Sequence, residues 1–221
     1  MLNFIDTNVI KGYCFEANNY NDQCQILEGM TNLWFSEKVL DEWNRIERGV
    51  YEEIETKIQR HIQDIKRNFS DMVEIDHRDR LIRMADIKVR PFFQRLYFSE
   101  EVEFPAVREE LCNKIENILL QMQSEKILRF NKLMSVCQIH ARTKIYPSEN
   151  SMLQTCHNGN GDRGIILDAY DLVLSKQNEE LKFWTFDGGI SGKCKDDILG
   201  KLKKIKDVVD LKYYLPTTQN P

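Results

Sequence analysis

A long apolar stripe in the first half of the chain constrains the fold more than any other feature. Its members recur at steps of three or four: Ile46, Val50, Ile54, Ile58, Ile62, Ile65, Phe69 and Met72. This spacing puts them on one face of a long helix. Such a face must be buried, and we expect an intramolecular helical hairpin. Pairing with a second copy of the chain, as a homodimer, or with another protein is the alternative.

Two further helical patterns follow the stripe. The first passes through Leu81 and Ala85 and is expected to kink or break at Pro91, because proline lacks the N–H that a helix interior requires. The second begins at Val107 and is expected to continue as far as Ile139. The middle hundred residues are therefore predicted to be helical.

Short apolar runs typical of buried strands lie on both sides of this helical segment. We predict strands at residues 2–5, 32–35, 181–186 and 208–214. Helical patterns alternate with these runs, among them a basic helix expected over Lys201–Lys206. Alternation of strand and helix favours an α/β fold with a central parallel sheet.

The length of 221 residues suits one domain that carries an insertion. We expect a core formed by residues 1–43 and 150–221, and a helical insertion over residues 44–149. The start of the sequence lacks the pattern of an export leader, and no apolar run is long enough to cross a bilayer. A cytoplasmic location without a membrane partner is therefore expected.

Charge and cysteine usage exclude several classes of protein. The net charge of −4 argues against a protein that coats nucleic acid by bulk electrostatics. The six cysteines are scattered and include no C-x-x-C pair, so neither a disulfide framework nor a structural zinc site is indicated.

Four acidic residues occupy equivalent places in this pattern. Asp6 and Asp187 follow predicted strands, Glu42 lies in the helix after the second strand, and Asp162 lies at a helix start. In a parallel sheet all four can meet at the carboxyl edge. Clustered carboxylates repel one another unless a cation lies between them, and oxygen ligands of this kind suit Mg²⁺ or Mn²⁺.

Four segments carry these acids: FIDTNVI, WFSEKVLDEW, GDRGIILDAYDLV and FWTFDGG. In this order they resemble the motifs of the PIN-domain nucleases, a family of Mg²⁺- or Mn²⁺-dependent ribonucleases that includes the toxins of many toxin–antitoxin pairs. The resemblance covers residues 1–43 and 156–214. It implies a PIN-like three-layer fold, whereas the long helical segment departs from a compact member of the family.

The resemblance also assigns roles to residues. It implies that Asp6, Glu42, Asp162 and Asp187 are catalytic, and that the cation is held by Asp6, Asp162 and Asp187. Thr7, Asn8 and Thr185 are expected to support the carboxylates through hydrogen bonds. The implied reaction is hydrolysis of RNA by a metal-activated water, leaving 5′-phosphate and 3′-hydroxyl ends. An antitoxin or another protein could bind through the helical insertion.

Several alternatives stay open at this level. The protein could be a non-catalytic PIN-fold interaction module, or its substrate could be DNA. Asp6 and Asp162 could serve as helix caps. Asp168 is expected to face solvent or to support the site. Two basic groups could contact RNA: one is the lysine run Lys193, Lys195, Lys201, Lys203, Lys204 and Lys206, and the other is Arg78, Arg80, Arg83, Lys88 and Arg90.

Overall fold

The computed structural model describes residues 1–15, 21–99, 102–153 and 160–214. They divide into two compact units, the first formed by residues 1–45 and 127–221 and the second by residues 46–126. The second unit is shorter than the predicted insertion of residues 44–149. Residues 127–149 belong to the first unit, because a strand in this stretch joins its sheet.

The first unit is built on a parallel sheet of five strands in the described part of the chain. These are β1 (Leu2–Ile5), β2 (Leu33–Ser36), β5 (Cys137–His140), β6 (Leu181–Thr185) and β7 (Ile205–Asp210). Their order across the sheet is β5-β2-β1-β6-β7, and every neighbouring pair is parallel. The predicted α/β class with a central parallel sheet is confirmed.

Helices fill the connections between these strands. The first unit contains α1 (Thr7–Phe15), α2 (Asn21–Gly29), α7 (Pro147–Leu153), α8 (Asn160–Ser175) and α9 (Lys195–Lys201), and a π-helical turn spans Gly189–Lys193. Consecutive residues of β2 are all buried, and the rings of Phe4 and Phe183 stack at 5.7 Å between β1 and β6. A strand buried at successive positions is covered on both faces.

The second unit has its own apolar core. Its chain comprises part of α3 (Glu37–Asn68), β3 (Met72–Val73), α4 (Arg78–Met84), α5 (Arg90–Phe98), β4 (Ala106–Val107) and part of α6 (Arg108–Val136); a short 3₁₀ turn (Ile75–His77) precedes α4. Ile58, Ile62 and Ile65 of the predicted stripe are fully buried in this core, against residues of α4, α5 and α6. The intramolecular packing expected for the stripe is confirmed.

Some predicted boundaries are wrong. The helical pattern that was expected to continue from Val107 to Ile139 ends at Val136. Cys137–His140 form the edge strand β5, because their main chain pairs with β2. Met72 and Val107 lie in the β3–β4 ladder and not in helices. The basic helix expected over Lys201–Lys206 is also wrong, because α9 ends at Lys201 and β7 begins at Ile205.

The helical pattern is interrupted as expected, but before Pro91 and not at it: α4 ends at Met84, and α5 begins at Arg90 with Pro91 in its first turn. Proline is tolerated there because the first N–H groups of a helix have no partner within the helix. The last strand ends at Asp210, earlier than predicted. Within the described ranges, no helix combines the length and apolar character needed to span a membrane.

Candidate functional site

The strand order creates a crevice at one edge of the sheet. From β1 the chain builds the sheet on one side through β2 and β5, and β6 and β7 lie on the other side of β1. Connections leaving the carboxyl ends of β1 and β6 therefore diverge, and open parallel sheets bind ligands at such a switch point. Asp6 directly follows β1, and Thr185 ends β6 two residues before Asp187.

Asp6 is anchored in this crevice through both carboxylate oxygens. Asp6 is buried, with only 2% of its surface exposed. Oδ1 accepts a hydrogen bond from the Val9 N–H at 2.9 Å, and Oδ2 accepts one from the Thr185 hydroxyl at 2.5 Å. The bond to Val9 caps α1, so the capping role considered for Asp6 is present in the structure. The cap uses only Oδ1, whereas Oδ2 is bound by Thr185.

The surroundings of Asp6 oppose its ionisation. Burial is the main cause that raises its pKa, to about 7, and the negative charges of Asp187 and Asp162 add to the effect. The hydrogen bonds from Thr185 and Val9 act in the opposite direction and are outweighed. A buried carboxyl group with a pKa near neutrality, close to two other acids, is typical of functional sites.

Three of the four predicted acids line one small pocket. Its volume is about 20 Å³, and its walls are Asp6, Thr7, Asn8, Glu42 and Asp162, closed on the apolar side by Ile165 and Ile190. This volume is sufficient for one water molecule or one ion. Asp162 lies in the first turn of α8, two residues after the start of that helix, so it is not the N-cap residue.

Asp187 lies beside this pocket and not in its wall. It lines a neighbouring cleft of about 350 Å³ together with Asn8, Lys11, Gly12, Phe186, Gly188 and Lys212. Its Oδ1 accepts a hydrogen bond of 2.6 Å from the Gly189 N–H, at the start of the π-helical turn. Its own N–H donates to the Thr185 hydroxyl at 2.8 Å. Asp187 therefore influences Asp6 through its charge.

The predicted supporting residues divide into two kinds. The Thr7 hydroxyl donates to Glu42 Oε2 at 2.9 Å, and the Thr185 hydroxyl links Asp6 to the main chain of Asp187. Both threonines are buried and orient acidic side chains. Asn8 is exposed and lines both the pocket and the cleft, a position suited to contact with a bound molecule.

The donor set of the pocket can be compared with what a cation requires. Among the described residues, no three acidic, histidine or cysteine side chains are close enough together to form a ready-made metal site. Mg²⁺ commonly binds through one or two carboxylates and keeps several waters, so it does not require such a group. The hard oxygen donors and the raised pKa of Asp6 fit an ion of this class.

Sequence reasoning missed a second buried acid in α8. Asp171 accepts hydrogen bonds from His140 Nε2 at 2.9 Å, the Thr143 N–H at 2.9 Å and the Tyr146 hydroxyl at 2.6 Å. Burial alone would raise its pKa, but these hydrogen bonds outweigh burial and lower it. Asp171 thus ties the segment after β5 to α8, and its environment is opposite to that of Asp6.

The sequence predicts that Asp168 either faces solvent or supports the site. It is 3% exposed, and one of its oxygens lies 3.2 Å from Nε of Arg142. Exposure to solvent is therefore wrong for this residue. Burial raises its pKa, although a hydrogen bond from Ser36 and the charge of Arg142 act against that effect. Ser36 ends β2, so this hydrogen bond ties Asp168 to the carboxyl end of that strand.

Several side chains of the two basic groups considered for RNA contact interact with other parts of the protein. Three lysines of the run pair with acids: Lys195 with Asp207 at 2.7 Å, Lys201 with Asp197 at 3.2 Å, and Lys206 with Glu180 at 3.4 Å. In the second unit, the Arg78 guanidinium packs over the rings of Phe98 and Phe104, and that of Arg80 over Phe69. Arg90 donates to main-chain carbonyls, including that of Ala85 at 3.1 Å.

Comparison of the chain with protein-family models, with curated proteins and with solved structures finds no match.

Proposed function

We propose that this protein is a divalent-cation-dependent nuclease that hydrolyses phosphodiester bonds in RNA. The observation that carries the proposal is Asp6, a buried carboxyl group with a pKa raised to about 7, which faces a pocket shared with Glu42 and Asp162 at the switch point of the sheet. Keeping such a group costs stability, and natural proteins accept this cost mainly at functional sites.

The four acids have three roles in this proposal. Asp6 and Asp162 hold Mg²⁺ or Mn²⁺, which when bound supplies charge neutralisation for phosphate oxygens and a more acidic water. Glu42, oriented by Thr7, accepts a proton from the attacking water or positions it. Asp187 adds negative charge that favours cation binding. Thr185 fixes Asp6 and the segment after β6 relative to each other.

The strand order, the coverage of the sheet on both faces and the four acidic motifs together support a PIN-like fold. RNA is the substrate proposed from this resemblance, whereas the chemistry of the pocket is equally suited to DNA. A protein partner such as an antitoxin would bind through the helical insertion.

The test is cleavage of end-labelled single-stranded RNA and of DNA with the same sequence, in Mn²⁺ and in EDTA. We expect Mn²⁺-dependent cleavage of RNA, which falls by roughly two orders of magnitude or more in Asp6→Asn, as when a group that acts in the transition state is lost. Glu180→Gln is the matched control, because this exposed acid lies directly before β6, at the opposite end of the sheet.

Three outcomes would change the proposal. Cleavage of DNA alone would replace the substrate. Equal activity of Asp6→Asn and the parent protein would indicate a contaminating nuclease and contradict the site. No Mn²⁺-dependent cleavage of any substrate by folded protein would favour the non-catalytic interaction module.

A further inference from the structure

The cleft beside the acidic pocket carries two lysines from different parts of the chain. Lys11 comes from α1 and Lys212 from the turn after β7, and both line the same space of about 350 Å³. Asn8, Gly12, Phe186, Asp187 and Gly188 complete its walls. Several other lysines of the first unit, among them Lys195, Lys201 and Lys206, pair with acids.

These two ammonium groups differ from those paired lysines. In the part of the chain that the structure describes, neither Lys11 nor Lys212 has a carboxylate within ion-pair distance. The Lys212 ammonium lies 5.7 Å from the centre of the Tyr213 ring, and Tyr213 is 75% exposed. Positive charge beside an exposed aromatic ring is the combination with which proteins bind single-stranded nucleic acid, through backbone phosphate and base stacking.

The cleft and the acidic pocket are adjacent. Asn8 lines both, and Asp187 in the cleft wall is close enough for its charge to act on Asp6. A ligand with one negative group at the lysines and another at the acidic pocket must carry regularly spaced anions. A polynucleotide backbone has this chemistry, with one phosphate for each nucleotide.

The approach of Phe186 to α1 helps to form the cleft. A Cβ atom on Gly12 would lie 2.6 Å from the Phe186 ring, so glycine is the residue that lets the ring lie directly against the helix. Phe186 and Gly188 line the cleft together with the two lysines.

We propose that Lys11 and Lys212 bind a backbone phosphate of a single-stranded polynucleotide, next to the phosphate that is cleaved. This inference rests on the proposed function, because it assumes that the scissile phosphate lies at the Asp6 pocket. The two lysines then fix the path of the strand across the carboxyl edge of the sheet.

The test measures binding separately from cleavage. Fluorescence anisotropy of labelled single-stranded RNA and DNA is recorded in EDTA, with the Asp6→Asn protein as parent, over a range of salt concentrations. We expect Lys11→Gln and Lys212→Gln each to weaken binding about three- to fivefold, the size of effect of one exposed ion pair. The double variant is expected to lower the slope of log affinity against log salt by about 0.7, the value for one phosphate contact on a single strand.

Lys206→Gln is the matched control. Lys206 lies at the start of β7, at the far end of the sheet, and pairs with Glu180. We expect its affinity and salt slope to equal those of the parent, and the thermal melting of every variant is recorded to confirm folding. Equal binding by the double variant and the parent would overturn the proposal, as would equal weakening by Lys206→Gln. RNA and DNA arms that respond alike show that the contact is to the backbone.

The design separates the two proposals. Lysine-dependent binding without cleavage by the wild-type protein in Mn²⁺ would support the phosphate site and contradict the nuclease. Cleavage that survives in the wild type, together with binding unaffected by the lysines, would contradict the phosphate site alone.

Discussion

At the scale of single residues, the pKa values of two buried aspartates move in opposite directions. Asp171 accepts hydrogen bonds from three neighbouring residues and has a lowered pKa, whereas the pKa of Asp6 is raised to about 7. A buried acid that stabilises a fold is surrounded by donors, as Asp171 is. Asp6 has fewer donors and lies near other acids, which is the arrangement expected of a residue kept for binding.

Asp6 should therefore make the protein less stable as pH rises. A folded-state pKa near 7, against an ordinary value of 3.8, means that the native state holds a proton that the unfolded chain has lost. The stability that this proton contributes is complete below pH 4 and is lost as pH rises through 7. Its full size is on the order of 4 kcal/mol. We expect Asp6→Asn to be more stable than wild type at pH 8 without divalent cations, as measured by urea unfolding at pH 5 and pH 8. A variant that loses stability equally at both pH values would contradict this account.

The Thr185 hydroxyl is expected to act on both acids that it connects. Thr185→Val leaves the Asp187 N–H without its acceptor and removes one donor to Asp6. The free energy of unfolding should fall by about 1–3 kcal/mol, the cost of leaving a buried polar group unsatisfied. The pKa of Asp6 should rise further, since this hydrogen bond lowers it. Thr185→Ser, which keeps the hydroxyl, should retain the wild-type dependence of the free energy of unfolding on pH. An equal change of this dependence in both variants would refute the role of the hydroxyl.

At the scale of elements, the segment after β5 depends on one side chain of α8. Asp171→Asn retains only one acceptor oxygen for donors from His140, Thr143 and Tyr146. We expect the free energy of unfolding at pH 7 to fall by about 2–4 kcal/mol, because hydrogen bonds to a charged group are strong and their donors would be left unpaired. In wild type this stability should vanish as pH falls below about 4 through the lowered pKa of Asp171. Asp207→Asn, at a partly exposed ion pair, is the control and should change the free energy of unfolding by less than about 0.5 kcal/mol.

The core of the second unit gives a further prediction at this scale. Phe93 is fully buried, 5.6 Å from the Tyr97 ring and 4.1 Å from that of His61. Phe93→Ala should cost about 3–5 kcal/mol, because it leaves a large cavity. Leu120→Ala, at an exposed position of α6, should be nearly neutral. Hydrogen exchange of amides in residues 46–126 provides the measurement, and unchanged protection in Phe93→Ala would contradict the assignment of this core.

The strand β5, which sequence reasoning missed, shows the limit of local pattern. Ile139 follows Val136 by three residues, so it continues the helical spacing, and Gln138 and Ile139 of the edge strand are exposed. No alternation marks this strand. Only its pairing with β2 makes it a strand, and that contact spans about a hundred residues of sequence. The long stripe, by contrast, needed no such contact to be recognised.

At the scale of the whole molecule, four acids could be selected from sequence because strand ends in a parallel sheet meet at one edge. Three of these acids, Asp6, Glu42 and Asp162, line one pocket in the structure. The sequence pattern did not predict that Asp187 lines the neighbouring cleft. It also did not predict that Lys11 and Lys212 line that cleft together, since they come from segments about two hundred residues apart. Such convergence depends on the sheet order, which local spacing does not encode.

The proposed function requires the Asp6 pocket to bind a divalent cation. Calorimetric titration of the wild-type protein with Mn²⁺ at pH 7.5 measures this directly, with competition by Mg²⁺ and with Asp6→Asn, Asp162→Asn and Glu180→Gln as variants. We expect saturable binding that Mg²⁺ competes away, that weakens at pH 6 because Asp6 must lose its proton, and that only the first two variants abolish. Absence of saturable binding to the folded protein, or equal binding by Asp6→Asn, would contradict the account.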